Sequence, residues 1–292
     1  MPSRSQLVGC FSALAIVLLA IPRLPAQDVA SKGKHCLWRV TSVKAPFYLL
    51  GSVHSLQRTD YERVPEIEEA IKQCQQILFE VDPKQDAICA EKLTEAARLP
   101  RGQQIIGKVS PKTYNYLRKI TLNGMNEWQH LHPWAIAMLL DYPTLRGVNY
   151  IYGVDYHIAE IARRYSKTTG GIETVDEHIR VFSDMHEIEG EVYLLQALVH
   201  AGEASQQFRE DVAAWRSGDT NRLYAMHTRR MKEAPTVWWR LLDRRNAKWV
   251  PRFETAIKSG KPTLIVAGAL HFAGPHGVIA LLQKRGYKIE QL

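Results

Sequence analysis

The 292-residue chain lacks most of the short motifs that announce an enzyme class. There is no His-Glu-x-x-His, so the ordinary helix-borne zincin site is excluded. There is no Gly-x-Ser-x-Gly elbow, no Walker A loop and no Gly-x-Gly-x-x-Gly fingerprint. Serine hydrolases, nucleotide hydrolases and dinucleotide enzymes therefore lose their main sequence support. Cysteine is scarce, with 4 residues in all and no Cys-x-x-Cys pair, which argues against a thiolate zinc knuckle. No long membrane run is present either: the nearly apolar stretch from Leu7 to Ile21 falls short of the roughly 20 residues a spanning helix needs. No low-complexity linker divides the chain.

The segment from Met1 to Ala26 carries Arg4 and Arg23, no acid, and that apolar stretch between them. This is the pattern of a secretory signal peptide, cut near Leu24-Pro25-Ala26, followed by one domain over 27–292 in an exported, periplasmic or secreted protein with no membrane span once the signal is removed. Leu7-Val8-Gly9-Cys10 looks like a lipoprotein box but precedes the apolar run instead of following it. Without Arg4 and Arg23 the formal charge falls from +8 to +6, a basic balance without the clustering that nucleic-acid binding requires. Cys36, Cys74 and Cys89 remain in the mature chain; export permits a disulfide, and spacing does not identify a pair.

Two stretches share one device. Pro46 to His54 is an apolar, strand-like run closing in Gly51-Ser52-Val53-His54, and Thr263 to His271 closes in Gly268-Ala269-Leu270-His271. In each, the glycine permits either an unusual φ or a close backbone approach, and a histidine follows just past the strand's end. Strands are expected over Cys36 to Val43, Phe47 to Val53, Gln76 to Asp82, Lys167 to Glu173, Thr263 to Ala267 and Tyr287 to Ile289. A helix from Pro65 to Cys74 joins the second and third of these into a β-α-β unit with parallel strands. Helices are also expected over Lys112 to Ile120, Trp134 to Leu140, Tyr156 to Arg164, and from a capping box at Thr174 to Glu177. Met185 to about Lys258 reads as a helical layer over the sheet, with Trp215, Trp238, Trp239 and Trp249 as core packing. A last helix runs from about Pro275 to Lys284. The class is α/β, with α+β as the alternative: a central mixed sheet with helices packed around it, its two Gly-x-x-His loops meeting at one edge.

Of 11 histidines, His54 and His271 stand out because their surroundings match; the other nine, His178 and His276 among them, read as surface or packing residues. Two imidazoles at neighbouring strand ends suit a divalent transition metal. Glu80, at the end of an otherwise apolar strand, needs a partner if buried, and Asp82 shares its face. Glu173 sits at its own strand-to-helix junction, where an acid also favours the helix N-terminus. Asp155 is a weaker candidate. A metal held by such residues acidifies a bound water, and a carboxylate beside it takes the proton.

The ordered set Leu49-Leu50-Gly51-Ser52-Val53-His54, Leu78-Phe79-Glu80-Val81-Asp82, Gly153-Val154-Asp155, Gly171-Ile172-Glu173-Thr174 and Gly268 to Gly274, with Arg245-Asn246 ahead of the last strand, resembles the TraB/GumN family, which includes the TIKI proteins. The resemblance implies a fold related to the erythromycin-esterase and ChaN-like haem-uptake proteins. Its TIKI branch implies metal-dependent proteolysis favouring manganese or cobalt, with zinc as another option. Those roles fall on His54, His271 and Glu80, with Glu173 as a further ligand or base. His276 departs from the family pattern and is expected to face solvent. The expectation is an exported metal-dependent hydrolase, a peptidase acting on peptide or protein, with His54, His271, Glu80 and Glu173 as metal and catalytic residues. The competing readings are a non-catalytic haem- or metal-complex-binding envelope protein, and an accessory protein of exopolysaccharide export.

Overall fold

The computed structural model describes residues 34–61, 64–121, 125–142 and 145–292. The expected signal peptide, its cleavage point and the Leu7-to-Cys10 box lie outside those residues.

The strands are β1 (Leu37–Val40), β2 (Phe47–Ser52), β3 (Leu56–Gln57), β4 (Gln76–Phe79), β5 (Val148–Asn149), β6 (Thr168–Gly171), β7 (Thr263–Gly268) and β8 (Ile289–Gln291). Six of them form one mixed sheet in the order β6-β4-β7-β2-β1-β8, and β3 pairs with β5 in a separate ribbon. β6, β4, β7 and β2 are parallel, β1 runs opposite to them, and β8, antiparallel to β1, runs the same way as the four. β2 is wholly buried and β7 nearly so, and both read as continuous apolar runs, as strands covered on both faces do. The β-α-β unit from β2 through the helix Pro65–Gln73 to β4 forms with parallel strands, but these are not neighbours. β7, arriving from near the far end of the chain, pairs with both.

Local signals held where helix chemistry is strong. The helix Pro65–Gln73 begins on its proline, with Glu66 and Glu68 in the first turn and Lys72 in the last. Thr174 and Glu177 close a complete capping box on the helix Val175–Ser183. The helix Asp86–Ala96 carries no such signal: its apolar residues keep no clear helical face, and only Leu93 is buried.

Two hydrophobic clusters are present among the described residues. One lies on the sheet and includes Phe47, Ile77, Trp249 and Phe253. The other includes Trp134, Ile136, Leu194 and Leu198, where the helix Pro133–Asp141 packs on the helix Glu187–His200. The region from Met185 to Lys258 is helical as expected, but only part of it covers the sheet. Nor are all four tryptophans core residues: Trp239 is about half exposed. Cys36, Cys74 and Cys89 are free.

Candidate functional site

Because β6, β4, β7 and β2 run the same way, their C-terminal ends share one edge. Each delivers one of the expected residues there. Glu173 follows β6 by two residues, Glu80 follows β4 directly, His271 lies in the single turn Ala269–Phe272 after β7, and His54 follows β2 by two. The connection leaving β4 heads toward β6 and that leaving β7 toward β8, which opens the crevice in which open α/β sheets place their ligands.

Glu80 lies at the centre. Its Oε1 accepts a hydrogen bond from the Gly268 amide at 2.8 Å. The same oxygen is 3.9 Å from His54 Nε2 and 3.8 Å from His271 Nε2, too far for hydrogen bonds. Each nitrogen lies within about twice a metal–ligand bond of ~2.1 Å of that oxygen, so an ion can bridge the oxygen and either nitrogen. His271 and Glu80 are buried, whereas the His54 side chain is 65% exposed and forms the open side.

Each histidine is oriented from behind. Asp155, in the first turn of the helix Val154–Arg164, faces His54 Nδ1 at 3.0 Å and accepts from Ser52 Oγ at 3.0 Å. The preceding Gly153 lets this helix start press on the His54 loop: a Cβ there would lie 2.1 Å from the His54 carbonyl oxygen. His271 Nδ1 lies 2.7 Å from Asn246 Oδ1, and Asn246 Nδ2 donates to the His276 carbonyl at 3.0 Å. With the amide so oriented, His271 donates from Nδ1 and presents a lone pair at Nε2. Burial pushes the His271 pKa down to about 3, so the ring is neutral. Asp155 draws His54 upward from its ordinary value, against partial desolvation.

The two motif glycines do different work, and neither adopts the positive φ that the sequence left open. Gly51 is a close-approach position: a Cβ would meet Ala269 and Cys36 at 3.1 Å. Gly268 borders open space. A Cβ there would sit 3.5 Å from both Glu80 Oε1 and His54 Nε2 and 3.6 Å from His271 Cδ2, in the gap between the three side chains.

Arg245 ties Glu80 to Glu173. Its Nη2 donates to Glu80 Oε2 and to Glu173 Oε1, both at 2.5 Å, and its Nη1 lies 3.2 Å from His271 Nε2. Glu173 further accepts from Trp249 Nε1 at 3.0 Å and lies 2.7 Å from His178 Nδ1. Burial raises the Glu80 carboxyl, but the Arg245 guanidinium, with His54, outweighs it and holds it well below the usual range. Glu173 is lowered in the same way, burial being outweighed by His178 and Arg245. Glu80, Glu173 and His178 offer three ligand atoms within 4.8 Å of one another, a possible site for a divalent metal. The Arg245 guanidinium stands at that cluster, 2.5 Å from each carboxylate and 3.4 Å from His178 Nδ1.

The structure thus brings His54, His271, Glu80 and Glu173 to one edge, with Glu173 held behind Arg245. It departs from one sequence reading, that of His178 as a surface or packing residue, and adds partners for Trp249 and Asp155. His178 belongs to the site; the available signal was its place one turn after the Thr174 cap, on the helix that Glu173 precedes. Trp249 is more than packing, since it donates to Glu173 and its ring lies 4.4 Å from that of His271. Asp155 positions His54 directly. His276 is exposed, as expected, and enters only through its carbonyl.

A sequence profile described as the TraB/PrgY/gumN family matches residues 36–291. The chain is also 23% identical over 313 aligned residues to a protein named Metalloprotease TIKI1 from Danio rerio; the alignment takes in 87% of this chain and 62% of that protein's length. No solved structure matches the chain. No helix among the described residues is long and apolar enough to cross a membrane.

Proposed function

The chain belongs to the TraB/PrgY/gumN family, and on that footing we propose that it is a metal-dependent hydrolase, a peptidase, whose divalent ion is held by His54 and His271 beside Glu80. The observation that carries the proposal is the convergence of His54 Nε2 and His271 Nε2 on Glu80 Oε1, around space that Gly268 leaves open. Separations of 3.8 and 3.9 Å exceed a hydrogen bond but fall under about twice a metal–ligand bond of ~2.0–2.1 Å, so each imidazole is within reach of an ion shared with Glu80 Oε1, and the exposed His54 ring would have to move toward His271 for one ion to take both. The donor set of two imidazoles and a carboxylate suits manganese, cobalt or zinc. Such an ion polarises a carbonyl and acidifies water when bound.

The chain's own residues supply the rest. Asp155 and Asn246 hold the two imidazoles with their Nε2 atoms toward the gap, and outer partners of this kind are worth about 10–100-fold in metal affinity. Glu80 Oε1, fixed by the Gly268 amide, would complete the ligand set. Glu173 is the supporting acid: Arg245, Trp249 and His178 all engage it, and it fixes the guanidinium that faces both Glu80 and His271. Arg245 Nη1 and an ion compete for the lone pair on His271 Nε2. The resemblance to a metalloprotease supports a peptide or protein substrate, and the N-terminal pattern supports export of a single domain over 27–292.

Metal analysis of the purified protein and turnover of a peptide library test this. Stoichiometric metal, lost together with turnover in His54→Ala and His271→Ala variants that still fold, is the expected result. Haem absorbance without turnover overturns it in favour of a carrier; neither metal nor turnover overturns both readings.

A further inference from the structure

One surface beside the site carries charge that the chemistry above does not use. The segment leading to Arg245 and the helix Arg244–Lys258 place Arg240, Arg244, Lys248 and Arg252 at successive intervals of four residues, so they follow one face. Like charges at that spacing each cost a few tenths of a kcal/mol in a helix unless something offsets them. The two ends are offset. Arg240 donates from Nε and Nη2 to Glu189 at 2.9 and 2.8 Å, and Arg252 pairs with Glu177 at 2.5 Å. The middle is not: Arg244 and Lys248 make no ion pair among the described residues, and Arg244 lies only against the Trp239 ring. Arg180, on the facing helix Val175–Ser183, is likewise without an ion pair among those residues.

These side chains line a cavity of about 250 Å³ that shares Glu173, Arg245 and Trp249 with the catalytic edge. Six cations line it against three acids, of which Glu173 and Glu177 are already bonded to arginines and Asp184 is exposed. Arg240 Nη1 is buried at this wall with no hydrogen-bond partner, an orphaned cationic donor. Unmatched donors of this kind call for an acceptor, and the planar fork of arginine fits a carboxylate. The volume lies below the roughly 300 Å³ at which whole-ligand pockets begin, and it suits a single side chain or chain end.

We propose that this cavity is a specificity subsite for a carboxylate of the peptide substrate, bound by Arg180, Arg244 and Lys248. It rests on the peptidase reading and adds the substrate's chemistry to it: peptides bearing an acidic side chain or a free C-terminus are preferred to neutral ones.

The test compares matched peptides, glutamate against glutamine at each position and free carboxylate against C-terminal amide, by kcat/KM. The acidic member of one pair is expected to be favoured about tenfold. That ratio falls toward one in an Arg244→Gln/Lys248→Gln variant and is unchanged by Lys112→Gln, a surface change on the distant helix Pro111–Thr121. Which pair responds tells side chain from chain end. A ratio of one in the unaltered protein, or one the double substitution leaves intact, overturns the subsite while the peptidase reading stands. Calorimetric binding of a glutamate-containing tripeptide separates the two claims in the other direction. Binding lost in the double variant, with no peptide cleaved, supports the subsite and removes the peptidase.

Discussion

Replacing Arg245 by methionine tests the electrostatic frame most directly. Arg245 is 8% exposed, Glu80 and Glu173 are 7% exposed, and one guanidinium nitrogen lies 2.5 Å from both carboxylates. Breaking a buried pair by removing one partner costs about 3–5 kcal/mol. The repulsion left behind can be gauged independently. Glu80 and Glu173 present oxygens within 4.8 Å of each other, which at an effective dielectric near 20 is about 3.5 kcal/mol. That repulsion raises one of the two carboxyls above its ordinary value. In the parent protein both carboxyls are depressed, so their stabilisation is present above the unfolded pKa of about 4.3 and is lost as pH falls through the folded values. In Arg245→Met the sign reverses: the raised carboxyl destabilises at high pH and is relieved as it takes up a proton. Urea unfolding of chelator-treated protein should therefore show a deficit of about 3–5 kcal/mol at pH 7.5 that shrinks by about 2 kcal/mol at pH 5.5. A deficit below about 1 kcal/mol, or one equal at the two pH values, refutes the reasoning.

The two motif glycines should part company on methylation. Gly268→Ala has ordinary van der Waals contacts and an ordinary backbone, so stability should stay within about 1 kcal/mol, while metal content and turnover fall because the gap is filled. Retained metal and turnover would show that the gap is not the site. Gly51→Ala presses on the Ala269 backbone and Cys36 at 3.1 Å and should cost about 1–3 kcal/mol by thermal or urea melting. Asn246→Leu removes the acceptor for His271 Nδ1 and should weaken metal binding about 10–100-fold in a chelator titration; an unchanged affinity would mean that Asn246 does not set the tautomer.

Local chemistry made much of this protein legible from its sequence. Apolar runs of aromatic or β-branched residues with a glycine and a histidine at their ends mark β2 and β7, and a helix between parallel strands implies that strand ends share an edge. The capping box, the prolines at helix starts and the isolated carboxylates at Glu80 and Glu173 were readable because each obeys a rule spanning only a few residues. What the sequence could not carry was adjacency. Nothing local says that β7 inserts between β2 and β4, yet that pairing is what sets His271 and Glu80 side by side. Arg245 was noticed but had no evident partner, because its two carboxylates are 165 and 72 positions away along the chain. His178 read as ordinary for the same reason, since only its contact with Glu173 and Arg245 gives it meaning. The choice between the two glycine roles also belonged to tertiary structure: a missing Cβ is the same in either motif, and only the neighbours decide whether it permits close packing or leaves room for a ligand.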